Sequence, residues 1–261
     1  MTDNHILVSD TGAIRTITFN RPNKMNALTF AMYATIADAM VGADKDPKIR
    51  AIVFRGHEGC FSAGNDMVDF QQSTNGLGDP RGGLTPVQRF LIALIDTKTP
   101  LIAIVDGLAV GVAVTMLLHC DFVYCSKHAT FQTPFTSLGL CPEAGSSQIM
   151  PAIMGRQQAS ELLMLSKKLT AKDAFRLGFV TRIFKRKKLY AKADENVQTL
   201  VALPPSAVRL SKSLMLRPAE DIRDRMEYES TQFSARLSSE EFTEAAAAFL
   251  SRRKPDFSKF E

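Results

Sequence analysis

Alternating apolar and polar residues near the start of the chain predict a first β-strand. Within residues 13–22, Ile17 and Phe19 alternate with polar residues, as in a strand with one buried face. Apolar residues then recur at helical spacing, which predicts an amphipathic helix with a buried face made of Phe30, Tyr33, Ile36, Ala37, Met40 and Val41. Residues 51–54 form an apolar run between two arginines, which favours a short buried strand.

Strand and helix patterns continue to alternate up to about residue 185. Further elements are predicted as short helices at 66–72 and 87–96, strands at 101–105 and 121–125, and a buried helix that ends at His119. A helix stopped by Gly178 and a last strand at 179–184 follow, and from about Lys187 the pattern is helical throughout. This order predicts an α/β core with a helical C-terminal appendage.

Two further stretches and the ends of the chain predict a loop near a site and the location of the protein. Residues 73–86 are rich in Gly, Pro and polar residues and predict a mobile loop close to a site. The most apolar stretch, residues 101–120, contains Asp106 and is better explained by a strand, a turn and a buried helix than by a membrane span. The first residues lack a secretory pattern and the last do not read SKL, so we expect a cytoplasmic protein without a membrane partner.

Composition narrows the class of protein. Of the 261 residues, 45% are hydrophobic and 23% are charged, which excludes a disordered or collagen-like chain. The formal net charge of +5 is too small to predict a nucleic-acid partner, but it is compatible with an enzyme of anionic substrates. The four cysteines, at positions 60, 120, 125 and 141, form no disulfide framework and no zinc-ligand pattern.

Common catalytic motifs are absent. Gly107 and Gly111 do not have the spacing of a dinucleotide-binding fingerprint, and neither a nucleotide-triphosphate loop nor a serine-hydrolase elbow occurs. His57, His119 and His128 have no acidic partner that the sequence assigns, so each is interpreted as structural. No metal site is predicted.

Three segments remain as candidates. Residues 59–66 and 107–112 place small residues where a strand gives way to a helix, so free backbone N–H groups there could form an oxyanion hole. Glycine turns of this kind usually only reverse the chain. Glu143 lies between apolar residues and a small-residue helix start. Its carboxylate is either a catalytic base or a group stabilised by the N-terminus of a helix.

Five segments, taken together and in order, resemble the crotonase (enoyl-CoA hydratase/isomerase) superfamily. The resemblance covers nearly the whole chain. It implies an α/β fold with a crotonase-type (ββα) spiral core at residues 1–200, which binds acyl-CoA and catalyses, and a helical C-terminal trimerisation region at 201–261. The matching segments are NRPNKMNALT (20–29), FSAGNDMVDF (61–70), residues 106–121, residues 129–147 and LTAKDAFRLGFV (169–180).

The resemblance also implies roles for individual residues. Lys24 would meet the phosphates of coenzyme A as a point charge, and Ala63 and Asp66 would line the nucleotide. The backbone N–H groups of Asn65 and Val112 would be the oxyanion donors; many family members have glycine at the second position. Further roles are looser, since a neighbouring subunit would contribute Phe249 and Arg252 to the coenzyme A site, and an acyl pocket would be formed by Met67, Phe70, Thr115, Phe135, Leu138 and Leu140.

Departures from the hydratase pattern select the branch of the family. Hydratases use two glutamates to handle one water, but the aligned positions here are Thr115 and Phe135, which cannot do that acid–base work. A carboxylate instead stands at Glu143, as in the Δ3,Δ2-enoyl-CoA isomerases, where one base can perform a 1,3-proton shift. Phe135, Leu138 and Leu140 are expected to raise the pKa of Glu143 by desolvation.

The resemblance therefore predicts an isomerase that converts 3-enoyl-CoA to trans-2-enoyl-CoA. No cofactor is expected beyond the coenzyme A that arrives with the substrate, and the expected assembly is a homotrimer or a dimer of trimers. Two alternatives remain open. One is a hydratase, or another acyl-CoA enzyme of the family, that uses Glu143 with a different partner. The other is a protein that binds acyl-CoA without turnover.

Overall fold

The computed structural model describes residues 5–57, 59–72, 83–217, 228, 231, 233, 235, 236 and 238–260, without the side chains of residues 70–72 and 249. The chain divides into two compact units, residues 1–196 and residues 197–261. The division falls four residues before the predicted one at 200, inside a helix. The predicted loop at 73–86 lies largely outside the described residues.

A six-stranded sheet forms the main layer of the first unit, in the order β1-β2-β3-β5-β7-β10. β1 and β2 form an antiparallel hairpin, and the remaining neighbours are parallel. β1 has no counterpart in the sequence predictions, because only its first residue is buried and it shows no alternation. The strands span Ile6–Thr11 (β1), Ile14–Phe19 (β2), Ala51–Arg55 (β3), Leu101–Val105 (β5), Phe122–Ser126 (β7) and Arg182–Phe184 (β10).

A second sheet, of four very short strands, carries the turns that later form the candidate site. Its order is β4-β6-β8-β9, and β4, β6 and β8 run parallel. The strands span Cys60–Ser62 (β4), Leu108–Val110 (β6), Thr130–Gln132 (β8) and Leu169–Thr170 (β9). Strands of two or three residues are too short for a period-two pattern to be recognised, so the sequence predicted none of them.

The long helices follow the predicted positions closely. The first helix begins after Thr29, whose hydroxyl oxygen accepts a hydrogen bond from the Met32 N–H at 3.3 Å. On its predicted face Tyr33, Ile36, Ala37 and Met40 are buried. Phe30 is only partly buried and Val41 is 43% exposed, so the prediction was wrong at Val41. The α-helices span Phe30–Lys45 (α1), Met67–Gln72 (α2), Pro86–Asp96 (α3), Val112–Thr115 (α4), Ser146–Met154 (α5), Arg156–Leu163 (α6), Ala171–Arg176 (α7), Leu189–Val201 (α8), Pro205–Leu216 (α9) and Glu240–Leu250 (α10).

Short 3₁₀ helices complete the chain path at Pro22–Lys24, Met116–His119, Thr136–Leu138 and Arg186–Lys188. The buried helix predicted to end at His119 is thus α4 followed by one 3₁₀ turn. The predicted strand at 179–184 is shorter, because only Arg182–Phe184 pair with β7. No described helix is long and apolar enough to cross a membrane. The described residues also contain no cluster of side chains suited to a metal ion.

The core of the first unit joins the two sheets through aromatic contacts. Phe19 of β2 meets Phe61 of β4 edge-on, with ring centroids 5.1 Å apart. Phe131 of β8 meets Phe179 in the same way at 5.3 Å. Edge-to-face aromatic pairs contribute about 0.5–1.5 kcal/mol beyond their buried area. These contacts fix the short sheet, and with it the turns that follow β4 and β6.

Candidate active site

The turns after β4 and β6 lie against each other. The two strands pair in parallel, with Ser62 beside Ala109, so their carboxyl ends lie at the same edge. Gly64 has a φ of +86°, and a β-carbon at that position would lie 2.6 Å from the carbonyl oxygen of Val110. Only glycine combines this backbone conformation with so close an approach. Gly64 therefore brings the 63–65 turn into contact with the peptide that leads to Gly111.

Each turn presents a backbone N–H group with no acceptor among the described residues. These are the groups of Asn65 and Val112, the two oxyanion donors that the family resemblance implies. Gly111, with a φ of +58°, turns the chain so that α4 begins at Val112. The Gly111 carbonyl accepts from the N–H groups of Val114 at 2.8 Å and Thr115 at 3.1 Å. Both hydrogen bonds polarise the Gly111–Val112 peptide, which strengthens the Val112 N–H as a donor.

Glu143 lies in the segment before α5, and its side chain points to α4. Its Oε1 accepts a hydrogen bond from the hydroxyl of Thr115, which is fully buried. Burial raises the pKa of the Glu143 carboxyl, and the donation from Thr115 partly opposes that rise. The predicted direction of the pKa shift is confirmed. A carboxyl with a raised pKa, hydrogen-bonded to the helix that begins at Val112, has the properties of a general base.

The backbone around Glu143 is held in an unusual conformation. Ala144 has a φ of +54°, which costs a residue with a β-carbon about 1–2 kcal/mol. Hydrogen bonds on both sides maintain it. The N–H and hydroxyl of Ser146 donate to the Glu143 carbonyl at 3.0 and 2.7 Å, and Nε2 of His119 donates to the Ala144 carbonyl at 2.9 Å. His119, interpreted as structural, thus supports the segment that carries the carboxylate.

Tyr33 belongs to the site although the sequence analysis assigned it to the core. Its hydroxyl donates to Oδ1 of Asn65, which joins α1 to the turn after β4. Burial, together with the negative charge of Glu143, raises the pKa of Tyr33 well above its usual value. Helical spacing alone could not distinguish this residue from its aliphatic neighbours. The signal that was available is its hydroxyl, because a buried tyrosine needs a hydrogen-bond partner.

Some of the residues predicted to form the acyl pocket are buried, and others are exposed or lack a described side chain. Thr115 and Phe135 are buried. Leu138 and Leu140 are 53% and 43% exposed in the single chain, and their part in desolvating Glu143 stays a prediction. The turn 135–140 closes on itself, with the Phe135 carbonyl accepting from the N–H of Leu140 at 2.7 Å, and this leaves both leucines at the surface. Met67 is 46% exposed, and the side chain of Phe70 lies outside the described residues.

Three of the residues predicted to bind coenzyme A lie in the segment 20–26 or contact it. Lys24 is exposed, on the 3₁₀ helix Pro22–Lys24. The N–H of Ala63 donates to the Met25 carbonyl at 2.9 Å, so the two predicted contact regions are neighbours. Asp66 forms an ion pair with Arg21 at 2.6 Å, and the hydrogen bond from Arg21 lowers the pKa of Asp66. Arg21 was not predicted as a partner, and it occupies the carboxylate that the resemblance assigns to the nucleotide.

The two predicted contributors from the C-terminal region belong to the second unit. Arg252 is exposed and has a φ of +52°, directly after α10. The side chain of Phe249 lies outside the described residues. Their assignment to the ligand site of a neighbouring subunit stays a prediction.

Comparisons with known proteins identify similar chains across nearly the whole sequence. A family model described as Enoyl-CoA hydratase/isomerase matches residues 9–259. Enoyl-CoA delta isomerase 2 of Rattus norvegicus is 40% identical over 250 residues, which are 95% of this chain and 64% of that protein. Enoyl-CoA delta isomerase 3, peroxisomal, of Mus musculus is 36% identical, over 95% of this chain and 78% of that protein.

A solved structure is similar to this chain in both sequence and fold. That structure, from Magnetospirillum magneticum AMB-1 and provisionally named enoyl-CoA hydratase/carnithine racemase, has a TM-score of 0.93 at 36% identity. The match covers 99% of this chain and 100% of that one. This chain thus spans the full length of that structure, but under two thirds of the rat relative.

Proposed function

Because the chain belongs to the enoyl-CoA hydratase/isomerase family, we propose that it is a Δ3,Δ2-enoyl-CoA isomerase that converts 3-enoyl-CoA to trans-2-enoyl-CoA. The observation that carries the proposal is the single carboxylate of Glu143, whose partner is the hydroxyl of Thr115 rather than a second carboxylate. The names of the rat and mouse relatives support the same reaction.

The proposed reaction is a proton shift along the acyl chain. Glu143 removes a proton from C2, and the electron pair of the C2–H bond forms the C1–C2 double bond of a dienolate whose thioester oxygen becomes negative. The C3–C4 pair then takes the proton from Glu143 at C4. The C1–C2 pair moves to C2–C3, and the thioester carbonyl re-forms. No atom is gained or lost, so the reaction needs no second reactant.

The two N–H groups act on the dienolate. Hydrogen bonds from Asn65 and Val112 to the thioester oxygen are stronger when that oxygen is charged, and they therefore stabilise the transition state more than the bound substrate. Removal of one such donor typically lowers kcat by about 10²–10³. The raised pKa of Glu143 suits the first half-reaction, because a carboxylate with a higher pKa is a stronger base toward the C2 proton.

Water addition places a different demand on the site. One group must deprotonate a water while a second delivers a proton to the neighbouring carbon. The positions that carry those groups in hydratases are Thr115 and Phe135 here, and Phe135 is a buried apolar side chain. This arrangement favours isomerisation over hydration.

The remaining parts of the proposal concern binding and assembly. Lys24, Ala63 and Asp66 would bind the coenzyme A portion of the substrate, while Phe249 and Arg252 of a neighbouring subunit would complete that site. The substrate itself brings the only coenzyme. We further propose a homotrimer or a dimer of trimers, located in the cytoplasm, without nucleic-acid or membrane partners.

The test compares two reactions on wild type and Glu143→Gln. 3-Enoyl-CoA esters from C4 to C12 are assayed for isomerisation, and crotonyl-CoA is assayed for hydration. We expect isomerisation to dominate and to fall about 10²–10⁴-fold in the variant. Dominant hydration would identify a hydratase. Binding of these esters without turnover at any chain length would identify a binding protein, and full isomerase activity in Glu143→Gln would refute the assigned base.

A further inference from the structure

Thr115 occupies an unusual place in the site, between the proposed base and a proposed oxyanion donor. Its hydroxyl contacts two acceptors, Oε1 of Glu143 and, at 3.3 Å, the carbonyl oxygen of Val112. A hydroxyl carries one proton and can donate to only one of them at a time. Donation to an ionised carboxylate is stronger than donation to a neutral carbonyl, and the Val112 contact is also long. The proton of Thr115 therefore goes to Glu143.

The other carboxylate oxygen has no such partner. No described residue donates a hydrogen bond to Oε2 of Glu143. Thr115 is fully buried, so water does not compete for its hydroxyl. The two oxygens of Glu143 are thus unequal, because Oε1 accepts a hydrogen bond from α4 and Oε2 has no donor in the part of the chain that the structure describes.

We propose that Thr115 is a positioning residue that commits Oε1 of Glu143 to the protein and leaves Oε2 to take and return the substrate proton. This inference rests on the proposed isomerase function. One oxygen then removes the proton from C2 and delivers the same proton to C4, without rotation of the carboxyl group. The Thr115 hydrogen bond is retained throughout, and it is strongest when Glu143 is ionised and able to act as a base.

The position of Thr115 on α4 gives this hydrogen bond a second effect. The helix is only four residues long, and it starts with Val112, whose N–H is the proposed oxyanion donor. The hydroxyl therefore links the base to the element that carries the donor. When the thioester oxygen of a substrate accepts a hydrogen bond from the Val112 N–H, the distances from Oε2 to C2 and to C4 are both fixed. Precise placement of this kind is a large part of enzymatic rate enhancement.

Among the described residues, the titratable side chains of Tyr33 and His119 face the Glu143 segment. The Tyr33 hydroxyl, on α1, interacts with the Glu143 charge, and its raised pKa keeps it neutral in the working range. Nε2 of His119, on the 3₁₀ helix after α4, donates to the carbonyl of Ala144. Histidine ordinarily changes charge near neutral pH, so its contribution to a pH profile must be separated from that of Glu143.

The experiment compares Thr115→Val, which keeps the shape and removes the hydroxyl, with Thr115→Ser, which keeps the hydroxyl. The pH dependence of kcat for a 3-enoyl-CoA ester is measured for both variants and for wild type. Because the lost donor stabilised the carboxylate, we expect the acid limb of Thr115→Val to move to higher pH. At its optimum kcat should fall roughly tenfold, with KM nearly unchanged. Thr115→Ser should restore both the limb and most of kcat.

A direct titration makes the result independent of turnover. Infrared difference spectra of the ligand-free protein follow the carboxyl band that Glu143→Gln removes, in wild type, Thr115→Val and His119→Gln. The band should titrate at higher pH in Thr115→Val and should not move in His119→Gln, where the amide retains a donor for Ala144.

The possible failures can be distinguished. Unchanged titration of the Glu143 band and an unchanged acid limb in Thr115→Val would overturn the inference, as would a Thr115→Ser variant as impaired as Thr115→Val. If wild type shows no isomerase turnover, the proposed function is wrong, but the infrared titration still decides whether Thr115 controls the Glu143 carboxyl.

Discussion

At the scale of single residues, the site brings together groups that do not favour the folded state on their own. The ionised carboxyl of Glu143 is disfavoured by burial, and Ala144 next to it has a left-handed backbone. The hydrogen bonds from Thr115, Ser146 and His119 offset part of this cost. Functional groups held in this way commonly lower the stability of a protein, since a neutral side chain in the same place would be more favourable.

This cost predicts that Glu143→Gln is more stable than wild type at neutral pH. A carboxyl whose folded pKa is raised binds more protons in the folded state, so the free energy of unfolding decreases as pH rises from its ordinary pKa to the raised one. Glutamine does not titrate, so the free energy of unfolding of the variant does not decrease in this way. We expect the variant to gain roughly 0.5–2 kcal/mol at pH 7 and little below the ordinary carboxyl pKa. Urea unfolding between pH 4 and 8 measures the difference.

A matched control is Glu161→Gln, because Glu161 is 45% exposed and pairs with Lys167 at the surface. Its loss should change stability by less than about 1 kcal/mol at pH 7. A Glu143→Gln variant less stable than wild type at pH 7 would show that the buried carboxylate is compensated by its hydrogen bonds.

Sequence reasoning identified some site residues and could not identify others. Glu143 and Thr115 stand out because each departs from the hydratase pattern. Tyr33 and Arg21 do not, since their roles depend on Asn65 and Asp66, which are more than thirty positions away in the sequence. No local pattern contains a pairing between residues so far apart.

At the scale of elements, the length of each helix or strand decided whether its hydrophobic pattern could predict it. α1 and the central strands β3 and β5 are long enough for their hydrophobic periodicity to be recognised. The strands β4, β6, β8 and β9 have two or three residues each and are defined by pairing rather than by pattern. These are the strands that bring the turns of the site together. The sequence could therefore identify the turns as candidates but not show that they meet.

The turn before α4 allows a test of the backbone donor. Proline is well tolerated at the first position of a helix, so Val112→Pro should remove the N–H while α4 is retained. We expect kcat to fall about 10²–10³-fold relative to Val112→Ala, which keeps the N–H and also loses the valine side chain. The measurement is isomerase kinetics of both variants, after circular dichroism has shown equal folding. Equal kcat values in the two variants would exclude Val112 as an oxyanion donor.

At the scale of the whole molecule, the prediction of a crotonase-type α/β fold is confirmed. The crotonase-type topology was predicted from the family resemblance. The alternation of strand and helix patterns predicted only the α/β fold class. The division into two units lies close to the predicted one. Every group assigned here to the proton shift belongs to the first unit, whereas Arg252 and Phe249 belong to the second. The prediction that the second unit serves assembly remains to be tested.

The exposed apolar residues of the second unit favour assembly. Met215, Leu216, Phe242 and Leu250 are 74%, 63%, 46% and 81% exposed in the single chain. Contiguous exposed apolar side chains are typical of protein–protein contact surfaces, and the proposed trimer would bury these residues in one. We therefore expect sedimentation equilibrium to give three or six times the 28.7 kDa of one chain. A protein that stays at the mass of one chain at micromolar concentration would contradict the proposed trimer.

The main-chain origin of the two donors has an evolutionary consequence. In the proposed mechanism the hydrogen bonds to the thioester oxygen involve only backbone atoms, so the side chain at position 112 can diverge without their loss. The family resemblance implies glycine at this position in many members, so Val112 would be one such divergence. Under the proposed mechanism, selection can therefore change the side chain at this position while the stabilisation of the dienolate is inherited unchanged.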